Sequence, residues 1–150
     1  MDISVRVQQQ DFDLRDETER LRSASLDVGA VVTFSGLVRS QQDGQAIKAL
    51  VLEHYPGMTE KSLLKIVEQA GLRWPLSGVT VIHRIGELKP GDQIVFVGVT
   101  SAHRLAAFEA CEFMMDYLKT RAPFWKKCLQ EGSEHWVESK DSDQLASERW

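Results

Sequence analysis

The stretch VTVIHRIGELKPGDQIVFVGVTSAHRLAAFEACEFMMDYLKTRAPFWKKCL, residues 79–129, decides the fold class. Val79 to Ile85 and Gln93 to Thr100 are short runs rich in β-branched residues, joined by GELKPGD, and read as two strands. Residues 102–122 then carry the longest helical pattern in the chain. Pro123 ends it, because proline has no amide hydrogen and disfavours the α conformation in the residue before it. Phe124–Leu129 returns to a strand pattern. Strands joined to strands by short connections, with helices between the pairs, predict an α+β domain with a largely antiparallel sheet. A doubly wound parallel sheet would alternate strand and helix throughout.

The same reading extends outward in both directions. Residues 3–7, ISVRV, alternate apolar and polar as a half-buried strand does. Asp13 to about Ser25 is rich in charged helix formers, with Asp13 as its cap. GAVVTFSGLVR, residues 29–39, and AIKALVLEHY, residues 46–55, are read as two strands of one hairpin across a polar, glycine-containing connection, with Arg39 near its base. From Met58 the apolar residues Leu63, Ile66, Val67 and Ala70 share one helical face. Thr59 is the expected cap, and Gly71 and Pro75 the stop. His135–Glu138 is read as a short strand, and Asp141–Trp150 as a short terminal helix or tail. Neither repeat nor linker divides the 150 residues, so a single domain over 1–150 is expected.

Composition narrows the function classes. A net charge of −4 argues against a general nucleic-acid binder, which needs a basic footprint. An anionic ligand must then meet a local cluster of Lys and Arg. The N-terminal MDISVRVQQQDFD lacks the apolar core of a signal peptide, and no apolar run approaches the ~18 residues that span a bilayer. Cys111 and Cys128, the two cysteines, are too far apart for a redox or zinc pair, which suits a reducing compartment. A cytoplasmic protein with no membrane segment is therefore expected. The four histidines, His54, His83, His103 and His135, show no metal-ligand spacing, so neither a metal nor another cofactor is expected. Neither a glycine-rich phosphate loop nor a nucleophile elbow is present.

Chemistry points back to residues 100–127. Ala106, Ala110, Phe113, Tyr117 and Leu118 form an apolar face that should pack on the sheet. Arg104, Phe108, Met115 and Lys119 follow one another along a second stripe. Thr100 or Ser101 is the expected cap, placing His103 and Arg104 in the first turn, where free amides favour an anion. On composition alone a solvated flank with two charges is the favoured reading of this stripe. Lys119 lies more than about 20 Å of helix rise from His103, too far for both to hold one phosphate. A strand turning back after Pro123 would bring Lys126 towards Lys119, and two neighbouring ammonium groups depress each other's pKa. Cys111, near the apolar face, is expected to be core and not a nucleophile.

Longer motifs carry a family resemblance. VVTFSGLVR, LEHYPGMTEK, RWPL, VTVIHRIGEL, PGDQIVFVGVTSAHR, FEA, MDYLKTRAPFWK and WVE, in that order from about residue 29, resemble the large, catalytic subunit of molybdopterin synthase. The first 28 residues carry little of the signature. The resemblance implies an α/β hammerhead-type fold with an added antiparallel subdomain. It implies a sulfurtransferase that installs two dithiolene sulfurs on cyclic pyranopterin monophosphate. The sulfur would come from the C-terminal Gly-Gly thiocarboxylate of a small ubiquitin-like carrier, in a heterotetramer built on a dimer of the large subunit. Carried over by motif, Lys119 and Lys126 match the catalytic lysines, and Arg39, His103 and Arg104 match substrate-pocket residues. Which protomer supplies His103 and Arg104 is left open. Phe34 and Met115 match residues around the same site. Lys140 stands where the family is associated with Arg; it keeps the charge but loses the bidentate fork. The competing expectations are a non-catalytic adaptor that docks a ubiquitin-like protein, and an enzyme acting on another phosphorylated small molecule.

Overall fold

The computed structural model describes residues 1–138 and 140–150. In chain order its elements are β1 (Asp2–Gln8), α1 (Leu14–Arg22), β2 (Ala30–Leu37), β3 (Gln41–Gln42), β4 (Gln45–His54), α2 (Met58–Arg73), β5 (Gly78–Arg84), β6 (Gly86–Leu88), β7 (Gln93–Ser101), α3 (Arg104–Arg121), β8 (Phe124–Gln130), β9 (Ser133–Val137) and α4 (Asp141–Glu148). They build an α+β domain with two sheets, as the residue patterns and the hammerhead resemblance predict.

Alternation along β5 and β7 sets the layers of the first sheet. Val79, Val81, Val95, Val97 and Val99 point to one face and pack against Leu63, Ile66 and Val67 of α2 and Ala110, Phe113 and Met114 of α3. Ile82 and Phe96 point to the other face and meet Phe12 and Leu21, which α1 and its entry supply. Each fully buried side chain of this size contributes roughly 1.5–3 kcal/mol. Gly98 lies on the α1 face, where an added Cβ would sit 2.3 Å from Leu21 Cδ1, so α1 owes its close approach to that glycine. The strand order is β1-β5-β7-β2, with β1 parallel to β5 and the other pairs antiparallel.

The second sheet has the order β3-β4-β8-β9, with β6 on β4. Val38, Ile47, Leu50, Leu52, Leu88 and Cys128 form its own buried cluster.

One expectation fails here. The strands of residues 29–39 and 46–55 do not form a hairpin: β2 pairs with β7 in the first sheet, and β4 pairs with β3, β6 and β8 in the second. The cause is local. Asp43 and Gly44 both have positive φ, 52° and 77°, and fold Gln41–Gln42 onto Gln45–Ala46 in a two-residue turn. Val38–Ser40 is thereby left to cross between the sheets.

Helix ends also differ in detail. Asp13 caps α1 by accepting from the Asp16 amide at 3.0 Å, as expected, but α1 stops at Arg22. Gly57, not Thr59, occupies the N-cap of α2, with Glu60 accepting from the Gly57 amide. Thr59 is fully buried instead; its hydroxyl accepts from the Tyr55 amide and donates to the Pro123 carbonyl. Gly71 does not stop α2, which runs to Arg73. His103 is the N-cap of α3, because Thr100 and Ser101 finish β7. Ser101 Oγ still accepts from the His103 amide at 3.2 Å. α4 is a helix, latched by the Trp150 indole against Trp74 and Phe113.

Candidate active site

Topology places the two ends of α3 at opposite ends of the first sheet. α3 leaves β7 at Ser101 beside the start of β5, since Thr100 pairs with Gly78. It then runs back along the sheet, with Cys111 beside the Val97 carbonyl at its middle, and ends near the His83 end of β5. Its 18 residues rise about 27 Å. Lys119 and the strand after Pro123 therefore share one end of the molecule, and His103 and Arg104 occupy the other. Within one chain the structure does not bring these two groups together.

β8 delivers Lys126 by alternation. Phe124, Lys126 and Cys128 point to one face of the strand, and Trp125 and Lys127 to the other. On the outer face Lys127 pairs with Glu134 and lies over the Trp136 ring. On the inner face Lys126 is opposite Leu52 of β4 and Val137 of β9, and Leu52 is buried. An ammonium set between apolar neighbours loses hydration, and this desolvation is the leading reason that the Lys126 pKa falls to about 8. The Lys119 ammonium adds to the fall, and the charges of Lys140 and Arg39 act in the same direction, opposed by Asp143. Lys119 keeps solvent contact at its surface, yet the protein packed around it also lowers its pKa. Desolvation leads, and Lys140 and Arg39 add to it, while Asp143 opposes the shift.

Four cations thus converge from four parts of the chain. Arg39 comes from the crossover after β2, Lys119 from the last turn of α3, Lys126 from β8 and Lys140 from the N-cap of α4. Asp143, in the first turn of α4, is a carboxylate within the group. Met115 lies one turn before Lys119, half-buried against the main core. Phe34 sits on β2, the edge strand, and is 40% exposed. Such a cluster in a chain of net charge −4 is suited to a multiply charged anion. A lysine of pKa about 8 can also both hold and release a proton near neutral pH.

Two residues at this site were not singled out by sequence reasoning. His83 stacks on Phe124, with ring centroids 3.8 Å apart and planes 19° apart. It looks like one of four scattered histidines until the His83 end of β5 meets the Phe124 end of β8. Asp143 reads as an ordinary acid of a helix first turn. Cys111 behaves as expected: it is buried, and desolvation pushes its thiol up to about 12. Among the described residues, no three of His, Cys, Asp and Glu gather to hold a metal ion. Among the described residues no helix is long and apolar enough to cross a membrane.

Comparison with known proteins identifies the family. The MoaE protein family model matches residues 7–121. The molybdopterin synthase catalytic subunit of Vibrio cholerae is 59% identical over 150 residues, covering 100% of this chain and 99% of the relative. That of Escherichia coli is 66% identical over 122 residues, 81% of each chain. Among solved structures, the molybdopterin biosynthesis MoaE protein of Burkholderia ambifaria superposes with a TM-score of 0.85 at 47% identity, over 99% of this chain and 97% of that one. The molybdopterin synthase structure from Staphylococcus aureus gives a TM-score of 0.80 at 30% identity, over 91% and 96%. With most of its length matched by the family model and full-length relatives above half identity, the chain belongs to the MoaE family.

Proposed function

We propose that this chain is the catalytic subunit of a molybdopterin synthase, acting in molybdenum cofactor biosynthesis as a sulfurtransferase. Its substrate is cyclic pyranopterin monophosphate, and its sulfur donor is the C-terminal thiocarboxylate of a small ubiquitin-like carrier. The observation that carries this reading is the convergence of Arg39, Lys119, Lys126 and Lys140, with Lys119 and Lys126 both held below the usual lysine pKa. A thiocarboxylate tail and a cyclic phosphate are both anions, and this slot offers both a cationic seat. Lys119, the more open of the two lysines, positions the thiocarboxylate and takes part in proton transfer. Lys126, held among apolar neighbours, stabilises negative charge as the cyclic phosphate opens. A preorganised charge in a poorly hydrated setting is worth more than the same charge in water. Arg39 and Lys140 bind the phosphate end of the substrate.

His103 and Arg104 join this pocket from a second copy of the chain. Their place at the far end of α3 supports that assignment, since a single chain holds them too far away. Phe34, Leu37, Leu105 and Phe108, all exposed on β2 and the first turns of α3, supply apolar surface for such a self-contact. Each protomer of the dimer then binds one carrier, and the assembly works in the cytoplasm.

The test mixes the chain with cyclic pyranopterin monophosphate and a thiocarboxylated carrier and follows dithiolene formation. Product that depends on the thiocarboxylate is expected. A Lys119→Ala protein should fold and bind carrier but lose about 10²–10³ in rate. Carrier binding without product would favour the adaptor reading, and full activity in Lys119→Ala would remove the role given to Lys119.

A further inference from the structure

Phe124 and Lys126 point to the same face of β8, and His83 continues the row Val79, Val81 on the face of β5 that α2 and α3 cover. The stacked His83–Phe124 pair therefore stands at the seam between the two sheets, with Lys126 next along the strand face. His83 Nδ1 lies 2.9 Å from the Arg84 carbonyl, which can only accept, so Nδ1 carries the hydrogen and the ring is fixed in one tautomer. We propose that His83 is a positioning residue for the sulfur-transfer site: its buried imidazole, stacked on Phe124 and tied to the Arg84 carbonyl, is the wall that keeps water from the Lys126 ammonium. This inference rests on the synthase reading and deepens it.

The surroundings keep the ring uncharged. Burial is the leading cause that lowers its pKa to about 4; the Arg84 carbonyl opposes this, and Lys119, Lys126 and His54 add to the fall. Lys119 faces it from α3, Lys126 from β8 and His54 from β4, and His54 in turn lies 3.5 Å from Glu60 of α2. The charges of Arg39, Lys140 and Asp143 also act on Lys126, the two cations lowering its pKa and the carboxylate raising it. A protonated His83 would add another cation to this group, so the ring works as an apolar plate throughout the neutral range.

The experiment separates the ring from its hydrogen bond. His83→Asn keeps a donor for the Arg84 carbonyl and loses the plate; His83→Phe keeps the plate and loses the donor. The Lys126 Nζ titration is read by nitrogen-15 NMR, assigned against Lys126→Met. The alkaline limb of sulfur transfer is read in parallel with the carrier complex. In His83→Asn, the Lys126 titration and the alkaline limb should both move up by about one pH unit as water enters. His83→Phe should retain the wild-type Lys126 titration. Phe124→Leu, which thins the stack from the other side, should shift Lys126 upward too, and serves if His83→Asn fails to fold. An unmoved Lys126 titration in His83→Asn and Phe124→Leu would overturn the proposal, as would a shift in His83→Phe equal to that in His83→Asn. Absence of dithiolene formation by the wild-type complex would overturn the synthase reading instead, and the NMR result would still decide the role of His83.

Discussion

Replacing Lys126 with methionine should make the protein more stable and inactive. The side chain lies opposite Leu52 and Val137, and its pKa is lowered from 10.5 to about 8, chiefly by desolvation. One pKa unit corresponds to about 1.4 kcal/mol, so the folded state holds this ammonium at a cost of about 2–3 kcal/mol once its remaining water contact is allowed for. Methionine is close in length, apolar and flexible enough to fill the same slot. For a domain of this size the gain should raise Tm by about 4–10 °C at pH 7. The pH dependence has a definite sign. Between the folded pKa near 8 and the unfolded value of 10.5, the unfolded wild type binds the extra proton, so wild-type stability rises with pH through that window. The advantage of Lys126→Met is therefore full below pH 8 and fades towards pH 10.5. Urea unfolding of both proteins at pH 7 and pH 10, with dithiolene formation as the activity assay, measures all of this. A variant that is less stable than wild type at pH 7, or whose advantage is the same at both pH values, would refute the reasoning.

Two further outcomes follow from packing. Trp150→Ala removes the hydrogen bond of the indole to Asp116, 2.7 Å long, and the edge contacts with Trp74 and Phe113, and should cost about 2–4 kcal/mol by urea unfolding. Because α4 carries Lys140 and Asp143 to the cation cluster, the same variant should also lose sulfur transfer well below its unfolding temperature. Gly98→Ala drives a methyl group into Leu21 Cδ1 and the Phe96 ring and should cost about 1–3 kcal/mol. Pairing it with Leu21→Ala should give a loss smaller than the sum of the two single changes, and simple additivity would show that α1 does not press on Gly98.

Local chemistry alone determined a good part of this protein. The period-2 runs of β5 and β7, the 3.6-residue face of α2 and α3, the Asp13 cap and the stop at Pro123 are each written in neighbouring residues, because each depends on backbone sterics and on burying one face. The motifs SAHR and YLKTRAPFWK carry the family resemblance in the sequence itself, and the second contains Lys119 and ends at Lys126. The hairpin of residues 29–55 was misread because pairing partners are chosen by the whole sheet. β2 and β4 have equally strand-like sequences, and only the Asp43–Gly44 turn and the packing of β7 and β8 assign them to different sheets. The unusual acidity of Lys126 could not be read from its neighbours in sequence, Trp125 and Lys127, since these point to the other face of β8. Its causes are desolvation beside Leu52 and Val137 and the charges of Lys119, Lys140 and Arg39, brought there from distant segments, and desolvation and Coulomb forces act through space, not along the chain. For the same reason His83 became part of the site only when β5 and β8 met. Sequence named the candidate lysines, and tertiary packing set the dielectric and the charges around them.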